Sequence, residues 1–560
     1  MRCQGLIGLV LFSFIRLVAA EEAAVRVIVK YKQPLAVSSL RTVLSQTAHY
    51  PIYSLTPIAG GAYTLVFNDK NLPKSGLKKI DSTARILEQL RKNPNIVYAV
   101  KDRVGHFKPD PHPQTVLSMP MLSHELQWDE FSPPAGMMLE SAPGRRDGAW
   151  AYSTGLARNP VIVAVLDTGI TLNDSLINNL VKDAAGNIWG WNFAANNNNV
   201  IDETGTYHGT HVAGIIAGYG DVMVGVGENL KILPVKIPDA RGMFYESQVI
   251  NAIYWSVGGR VPGAPDNPYP AKVLNMSFGV DERPGKEIDH CDAALQDALL
   301  FVRQQGAVIT AAAGNDNRWE HYNAPAACNG TMKIAATGPE GLRAYYSNYG
   351  PSVSFSAPGG DLRYGREGGI LSTVNPGGGY QGTGFDFYQG SSMASPHAAG
   401  VAGLIFAIRE GEILPEQVEQ ILYATTHDFG KSNDSNKSCV GEKPCGHGIL
   451  DAEKAVKATL ANFDRIITVP TANGLTLSSC GRSTYRPAVT ILNTGTKKEP
   501  TEWLQMTTAC QQKNEYSRIQ LRQTNGDEII VNYGAVSYRL NNSGFRRCQL
   551  IGKQGVGCYR

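Results

Sequence analysis

The sequence predicts an α/β fold whose parallel sheet is covered by helices on both faces, preceded by a small α+β segment and followed by a small β-rich segment. Apolar strands such as VIVAVLDTG, ILPVKI, KVLNMSF and GAVITAAAG alternate with helical stretches over residues 121–460, as in a parallel sheet with crossover helices. Different patterns flank this region on each side. The 560 residues, 43% of them hydrophobic, suffice for about three domains.

The chain begins like a secretory signal peptide. Residues 1–20 have a basic start, an apolar middle and small residues at Val18 and Ala20, which predicts cleavage after Ala20. Arg16 interrupts the apolar run and leaves it shorter than the roughly 20 residues that a membrane span needs. We therefore expect a signal peptide and no stable membrane anchor.

Residues 22–105 alternate between strand and helix patterns. VRVIVKYK, GAYTLVF and NIVYAV have the composition of strands, whereas VSSLRTVLSQ and the run from Thr83 to Lys92 are helical in pattern. This alternation predicts a small α+β domain. The stretch 106–120 is rich in proline, so we expect an extended linker that is open to cleavage.

Residues 463–560 predict a small β-rich domain. Stretches such as RPAVTIL, SRIQLRQ and EIIVNYGAVSYRL are separated by turn signals, among them Asn525-Gly526. This region holds 13 Lys and Arg against 6 Asp and Glu, a surplus of +7. A solvated face is the more common reason for such a surplus, and binding to an anionic surface is the alternative.

Three segments carry the chemistry of nucleophilic catalysis. Asp167 ends the strand VIVAVLDTG, His208 opens the helix YHGTHVAGIIAG, and Ser392 lies in GSSMASPH before an apolar helix. A serine hydroxyl is a weak nucleophile unless an imidazole takes its proton, and a carboxylate must hold that imidazole in the correct tautomer. Unpaired N–H groups at a helix start stabilise negative charge beside the serine. For a lone serine turn, helix capping would be the usual role.

Neighbouring residues offer competing assignments. His211 lies one helical turn after His208, but no nearby Cys or Glu completes a metal site, so we expect it to pack inward. Ser391 directly precedes Ser392 and is the alternative nucleophile. Ser395 and His397 are expected to pack within the helix. The GxGxxG spacing of GGGYQG has no helix after it, so no dinucleotide cofactor is predicted.

These segments, together with LNMSFG and ITAAAGNDN, closely resemble the subtilisin-like serine proteases, or subtilases, over most of residues 145–460. The resemblance implies that Asp167 orients the base, His208 is the general base and acid, and Ser392 attacks the scissile carbonyl. Asn315 and the Ser392 N–H would stabilise the oxyanion. Family members generally carry Thr where Ser391 stands, a change that keeps the hydroxyl.

The resemblance also implies a substrate cleft. Extended peptides would bind by main-chain hydrogen bonds between edge segments that contain Gly242, Ser277, Phe278, Gly279, Ala312 and Gly314. The floor of the pocket for the residue before the scissile bond would lie near Asn323, with cleavage expected after a large apolar residue. Kexin-like enzymes carry Arg after the HGT motif, and this chain has His211, so dibasic specificity is not implied.

The N-terminal α+β segment resembles the inhibitor-type, ferredoxin-like propeptide of subtilases. In the family, such a segment packs on the enzyme and its C-terminal tail fills the cleft until the zymogen cuts itself. More narrowly, the chain is similar to secreted bacterial subtilases. The resemblance therefore implies an extracellular, monomeric endopeptidase that acts on proteins and peptides and is inhibited by its own propeptide.

The cysteines are consistent with an oxidising compartment. Nine are present, and removal of the signal peptide with Cys3 leaves eight. By the resemblance, Cys291 and Cys328 form a bridge, and Cys439 and Cys445 are expected to form a local pair. The C-terminal four allow three connectivities; they are Cys480, Cys510, Cys548 and Cys558.

Net charge and acidic residues limit the partners. The net charge of +3 gives no reason to expect a nucleic-acid partner. Many subtilases bind calcium, but the loop GYGDVMVG after the histidine helix contributes only Asp221 as a carboxylate, with Asp202 and Glu203 as further candidates. The sequence allows a structural calcium without predicting one, and the chemistry itself requires no cofactor.

Overall fold

The computed structural model describes most of the chain. The described residues are 24–33, 36–68, 82–107, 126–283, 286–287, 290–319, 322–375, 384–411 and 413–461, and beyond them only strands between 477 and 559. The expected signal peptide (1–20), residues 108–120 of the expected linker, and the GGGYQG segment lie outside them.

The N-terminal domain is a four-stranded antiparallel sheet with two helices. Its elements and the strand that follows are β1 Ala24–Tyr31, α1 Val37–Ala48, β2 Ser54–Pro57, β3 Ala62–Asn68, α2 Ser82–Arg91, β4 Ile96–Lys101 and β5 Val104–His106. The strand order β2-β3-β1-β4 in a βαββαβ chain is ferredoxin-like. Val27 and Val29 of β1 face the helices, whereas Ile28 faces the α/β domain.

The α/β domain follows. Its elements are β6 Ile162–Asp167, β7 Trp191–Asn192, α3 His208–Ala217, β8 Lys231–Lys236, β9 Met243–Tyr245, α4 Glu246–Ser256, β10 Val273–Met276, β11 Val280–Arg283, β12 Lys286–Glu287, α5 Ala293–Gln304, β13 Val308–Ala312, β14 Met332–Thr337, β15 Phe355–Pro358, β16 Ile370–Val374, β17 Gly384–Tyr388, α6 Ser391–Ile408, α7 Pro415–Ala424 and α8 Ala452–Ala461. Seven strands form a parallel sheet of order β15-β14-β13-β10-β6-β8-β7.

Helices cover both faces of this sheet, as predicted. Alternate residues of a strand point to opposite faces, and β6 places Val163 and Val165 in one core and Ala164 and Leu166 in the other. The first core contains α3, α6, α7 and α8, and the second contains α4 and α5. Helix α6 is long and apolar enough to span a membrane, but it is the buried centre of the first core.

Strand β5 joins the two domains. It pairs antiparallel with β9 on one side and with β11 on the other, so the end of the N-terminal domain is inserted between two strands of the α/β domain. The Phe107 N–H then donates to Gly242 O at 2.9 Å. The expected domain boundary at residue 105 therefore falls inside a continuous ordered segment, because backbone pairing continues to Phe107.

The N-terminal domain also contributes charged side chains to the contact. Asp102 accepts hydrogen bonds from the N–H and hydroxyl of Ser247, in the first turn of α4, at 2.9 and 3.0 Å. Arg103 is buried and lies 3.7 Å from Glu246 and 3.5 Å from Asp292. Because α4 presents its N-terminus to Asp102, the helix dipole favours this carboxylate.

Two disulfides lie in the α/β domain. The structure joins Cys291 to Cys328 and Cys439 to Cys445, the two pairs that were expected there.

In the C-terminal region the strands are β18 Leu477–Cys480, β19 Ser483–Tyr485, β20 Ala488–Asn493, β21 Glu502–Thr507, β22 Ile519–Gln523, β23 Glu528–Tyr533, β24 Val536–Asn541, β25 Arg547–Ile551 and β26 Gly555–Tyr559. Their pairs are antiparallel, and Cys548 lies opposite Cys558. Cys510 lies outside the described residues.

Candidate active site

Asp167 and His208 form a close, mostly buried pair. Asp167 ends β6, the fifth strand in the order of the parallel sheet, and His208 is the first residue of α3. The distance from His208 Nδ1 to Asp167 Oδ1 is 2.7 Å, and the His208 side chain is 15% exposed whereas the Asp167 side chain is fully buried. Because a carboxylate only accepts, Nδ1 carries the proton, which leaves Nε2 as a base.

The start of α3 is held against β6 by hydrogen bonds and close packing. The Thr168 N–H donates to Asp167 Oδ1 at 2.7 Å, and the Thr168 hydroxyl accepts from the Gly209 N–H at 3.0 Å. A Cβ at Gly209 would lie 2.3 Å from Gly169 O and 3.1 Å from Asp167 Cβ. Glycine at position 209 therefore permits the approach that brings His208 to Asp167.

The two serines at the start of α6 differ in their surroundings. The Ser391 hydroxyl is fully buried; it donates to Asn315 Oδ1 at 2.8 Å and accepts from the Gly314 N–H at 3.0 Å. Ser392 is half-buried, and its hydroxyl donates to Ser277 O at 3.3 Å. A hydroxyl whose proton and lone pair are both engaged cannot act as a nucleophile without breaking those bonds, so Ser392 is the available one.

Asn315 is oriented by the same contacts. Its Oδ1 accepts from both the N–H and the hydroxyl of Ser391, at 2.9 and 2.8 Å, which leaves its Nδ2 as the free end of the amide. A Cβ at Gly390 would lie 3.4 Å from Asn315 Nδ2 and 3.5 Å from Ser392 N. The Asn315 amide and the Ser392 N–H, a first-turn amide of α6, therefore border one small space.

A buried polar network supports this end of α6. Asn275 Nδ2 donates to Ser277 Oγ at 3.0 Å, and Ser277 Oγ donates to Ser392 O at 2.9 Å. Asn275 Oδ1 accepts from the hydroxyls of Thr310 and Ser395, at 3.1 and 2.7 Å. These side chains tie β10 and β13 to the helix that carries Ser392, so the position of the serine depends on them.

The competing histidines are both buried, as expected. His211 Nε2 lies 3.1 Å from the carbonyl oxygens of Ile370 and Asp386, its ring stacks on Tyr388, and burial lowers its pKa to about 3. His397 Nε2 lies 3.0 Å from Asp129 Oδ2. Ser395 is also buried, through its bond to Asn275. These contacts belong to packing rather than to a site open to substrate.

The residues expected to flank a substrate lie around β5. Gly242 precedes β9, and Ser277, Phe278 and Gly279 precede β11, so they border the inserted strand on its two sides. Ala312 and Gly314 follow at the carboxyl end of β13, beside Ser391. A Cβ at Gly279 would lie 2.6 Å from Asn323 Cβ, which places Asn323 against this part of the cleft.

Two of the three carboxylates considered for calcium, Asp202 and Glu203, are engaged within the protein. Asp202 accepts from the hydroxyls of Thr168 and Thr204, both at 2.6 Å, and burial raises its pKa. Glu203 pairs with Lys236 at 2.7 Å. In the part of the chain that the structure describes, no group of three or more His, Cys, Asp or Glu side chains could hold a metal ion.

Comparison with known sequences decides the family. A sequence model of the subtilase family matches residues 158–448, more than half of the chain. The chain belongs to the subtilase family. As a subtilase it is a serine protease, and the match contains Asp167, His208, Asn315 and Ser392.

Named relatives of this subtilase are proteases. The extracellular basic protease of Dichelobacter nodosus is 28% identical over 498 residues, which cover 81% of this chain and 73% of the relative. The extracellular protease of Xanthomonas campestris pv. campestris is 31% identical over 399 residues, which cover 67% and 61% of the two chains.

Solved structures agree with the fold. A protease from Pseudoalteromonas arctica has a TM-score of 0.51 and 33% identity, and the match covers 60% of this subtilase and 97% of that chain. Fervidolysin from Fervidobacterium pennivorans has a TM-score of 0.52 at 21% identity, covering 78% and 61%. The similarity to fervidolysin supports the fold alone.

The sequence did not reveal three residues of this subtilase that lie where its N-terminal domain meets the α/β domain. Phe107, assigned to the linker, lies with its ring 5.7 Å from that of His208. Phe244 and Arg103 were not singled out at all. No periodic pattern marks the inserted strand in the sequence, because its buried positions are Gly105 and Phe107 whereas the apolar Val104 is only half-buried.

Proposed function

We propose that the protein is a secreted endopeptidase that hydrolyses peptide bonds through Asp167, His208 and Ser392 and that is made as a self-processing zymogen. The 2.7 Å contact between His208 Nδ1 and the buried Asp167 carboxylate carries the proposal. It supports an imidazole that is held through Nδ1, with Nε2 as the nitrogen that acts as the base. The chain of contacts from His208 through Phe107 and Phe278 to Ser277 and Ser392 supports one shared cleft.

The proposed reaction has two halves. Ser392 Oγ attacks the substrate carbonyl while His208 Nε2 takes the hydroxyl proton, and the carbonyl oxygen becomes an anion that accepts from Asn315 Nδ2 and the Ser392 N–H. His208 then gives its proton to the leaving amine, which forms an ester on Ser392. Water attacks this ester with His208 again as the base, and the acid product leaves with Ser392 restored. Asp167 stabilises the imidazolium that forms in each half.

The placement of β5 supports an inhibitory N-terminal domain. An extended segment between two edge strands is how a peptide substrate binds to a protease of this kind, and β5 occupies that position between β9 and β11. Phe107 contacts the ring of His208. While this segment remains bound, a substrate cannot use the same backbone positions.

Secretion is supported by the relatives and by the cysteines. Both relatives described above are named extracellular proteases. Two disulfides in the α/β domain suit an oxidising compartment. With the signal-like residues 1–20, these features favour export before maturation.

The test is labelling with a fluorophosphonate serine probe, with mass spectrometry to locate the label and the new N-terminus. The wild-type chain is expected to carry the label on Ser392 and to lose its N-terminal domain. Ser392→Ala should abolish both. Ser391→Ala is the matched control: it should be labelled on Ser392, with lower activity because Asn315 loses one of the two donors that orient it. Label on Ser391, or processing that survives Ser392→Ala, would contradict the proposal.

A further inference from the structure

The two inward-facing positions of the inserted segment are a glycine and an aromatic residue. Side chains of a strand alternate between its faces, and Gly105 and Phe107 are the buried positions of the segment, whereas Val104 and His106 are half-buried. The cleft therefore contacts no side chain at position 105 and a large ring at position 107.

The Phe244 ring fills the space that a side chain at position 105 would need. Gly105 pairs with Phe244 across β5 and β9, and a Cβ at Gly105 would lie 2.1 Å from Phe244 Cζ and 2.4 Å from its Cε2. These distances are far inside van der Waals contact. The Phe244 ring is 2% exposed and packs against Phe278 at 5.3 Å and Phe107 at 5.5 Å between centroids, so neighbouring rings oppose its movement.

The position of Phe107 is lined by rings. Its centroid lies 5.7 Å from that of His208, in an edge-on arrangement, and 5.6 Å from that of Phe278. Edge-on and tilted ring pairs at such distances are favourable beyond the area that they bury. An aromatic side chain at this position therefore gains contacts that an aliphatic or small one cannot make.

The strand register relates both positions to the scissile bond. Val280 of β11 pairs with Gly105 and Asp281 pairs with Val104. In an antiparallel pair, each step back along β11 is a step forward along its partner. A substrate in this register has its aromatic residue opposite Phe278 and its next residue opposite Ser277, which contacts Ser392 through both its hydroxyl and its carbonyl.

We propose that the cleft selects substrates with glycine at the fourth residue before the scissile bond and an aromatic residue at the second. Phe244 is the specificity-determining residue, since its ring excludes side chains at the fourth position. The inference rests on the proposed function, because it takes β5 to occupy the substrate site. The substrate class is extended protein segments in which a glycine lies two residues before an aromatic residue.

The test compares internally quenched peptides on the self-processed enzyme, with active sites titrated by the fluorophosphonate probe. The reference is Val-Gly-His-Phe-Leu-Ser-Ala, cleaved between Leu and Ser. The Leu-for-Gly peptide is expected to have a kcat/KM at least about 10-fold lower, the scale of discrimination by steric exclusion in a packed pocket. The Ala-for-Phe peptide is expected to lose about as much.

Phe244→Ala is expected to hydrolyse the Leu-for-Gly peptide at least as fast as the reference peptide. Met243→Ala, the neighbour on β9 whose side chain points to the other face, is the matched control and should keep the preference for glycine. If Phe244→Ala does not fold, as judged by loss of probe labelling, Phe244→Leu replaces it, with a partial relief of discrimination expected.

Equal rates of the wild-type enzyme on the Gly and Leu peptides would overturn the inference, and so would a glycine preference that persists in the Phe244 variant. Labelled enzyme that cleaves none of the peptides but degrades casein would show that the register is wrong. Wild-type enzyme that neither labels nor degrades casein would instead contradict the proposed function.

Discussion

Two buried polar regions of the molecule are built by opposite means. Beneath Ser392, the network centred on Asn275 consists of neutral groups, and the hydroxyls of Thr310 and Ser395 both donate to its amide oxygen. At the contact with the N-terminal domain, Arg103 faces Glu246, and within the described residues neither carboxylate oxygen of Glu246 receives a hydrogen bond.

The difference matches two different requirements. A neutral network with its hydrogen bonds made is stable at any pH at which the enzyme works, because none of its groups changes charge. In a buried charged contact with unsatisfied atoms, each charge depends strongly on the other, since removal of one leaves the other buried in a low dielectric without a partner. The first region suits a permanent support for Ser392, and the second suits a domain that leaves if the proposed zymogen processing occurs.

The largest effect is expected at the Asp167–His208 pair, which the proposed mechanism couples to the serine that the neutral network supports. Asp167→Asn should lower kcat by roughly 10⁴-fold, as for the equivalent change in a serine protease of another fold, because the amide favours the wrong imidazole tautomer. Hydrolysis of casein by titrated enzyme measures this loss. The exposed Asp174→Asn should keep wild-type activity, and a loss of less than about 10-fold in Asp167→Asn would remove Asp167 from the triad.

The next effect tests the charged contact. Arg103→Met, in the unprocessed Ser392→Ala chain, leaves Glu246 and Asp292 without their buried cation, a change of the kind that costs about 2–5 kcal/mol at interfaces. Hydrogen exchange at the Phe107 amide should accelerate by roughly 10²-fold or more.

Lys92→Met is the matched control for Arg103. Lys92 pairs with Glu88, and both side chains are more than half exposed, so exchange at Phe107 should stay within about 2-fold of the parent. Unchanged exchange in Arg103→Met would show that the charged contact does not hold the N-terminal domain in place.

A substitution in the neutral network should lower both the stability of the protein and its kcat. Asn275→Leu leaves the Thr310 and Ser395 hydroxyls without their acceptor, which should lower the free energy of unfolding by roughly 2–3 kcal/mol. Guanidinium unfolding of the Ser392→Ala chain measures stability, and kcat is measured in the active background. The exposed Asn198→Leu should change neither, and an unchanged kcat in Asn275→Leu would separate the network from catalysis.

The smallest effect concerns pH. Burial and the nearby Asp292 carboxylate raise the pKa of Glu246 well above its usual range, despite Arg103. Between the ordinary glutamate pKa and this raised value, the folded chain holds a proton that the unfolded chain has lost, so stability falls as pH rises. Glu246 should therefore contribute less to the stability of the Ser392→Ala chain against guanidinium at pH 8 than at pH 5.

From pH 5 to pH 8, Glu246→Gln should lose less stability, or gain more, than its parent, because a neutral amide has no proton equilibrium at this position. Glu88→Gln, at an exposed site of the N-terminal domain, should leave the pH dependence unchanged. If Glu246→Gln and its parent lost stability equally between the two pH values, Glu246 would not be the group that makes this contact pH-sensitive.

Local sequence was sufficient for the fold class and for the positions of the chemical groups. The alternation of apolar strands and helices predicted the parallel sheet, because burial on both faces of a sheet leaves continuous apolar runs in the chain. Asp167, His208 and Ser392 were predicted because each lies in a short segment whose neighbours have a defined role. The Cys291–Cys328 bridge followed from the resemblance, and the Cys439–Cys445 bridge from the closeness of the two cysteines in the sequence.

Contacts between distant residues were decided by tertiary structure alone. Whether Ser391 or Ser392 is available depends on Asn315 and Gly314, about 76 positions away in sequence. The place of Phe107 in the cleft depends on β9 and β11, and the charge of Glu246 depends on Arg103 from another domain. No local pattern encodes these pairings, because they arise only when separately folded surfaces meet and exclude water from the groups between them.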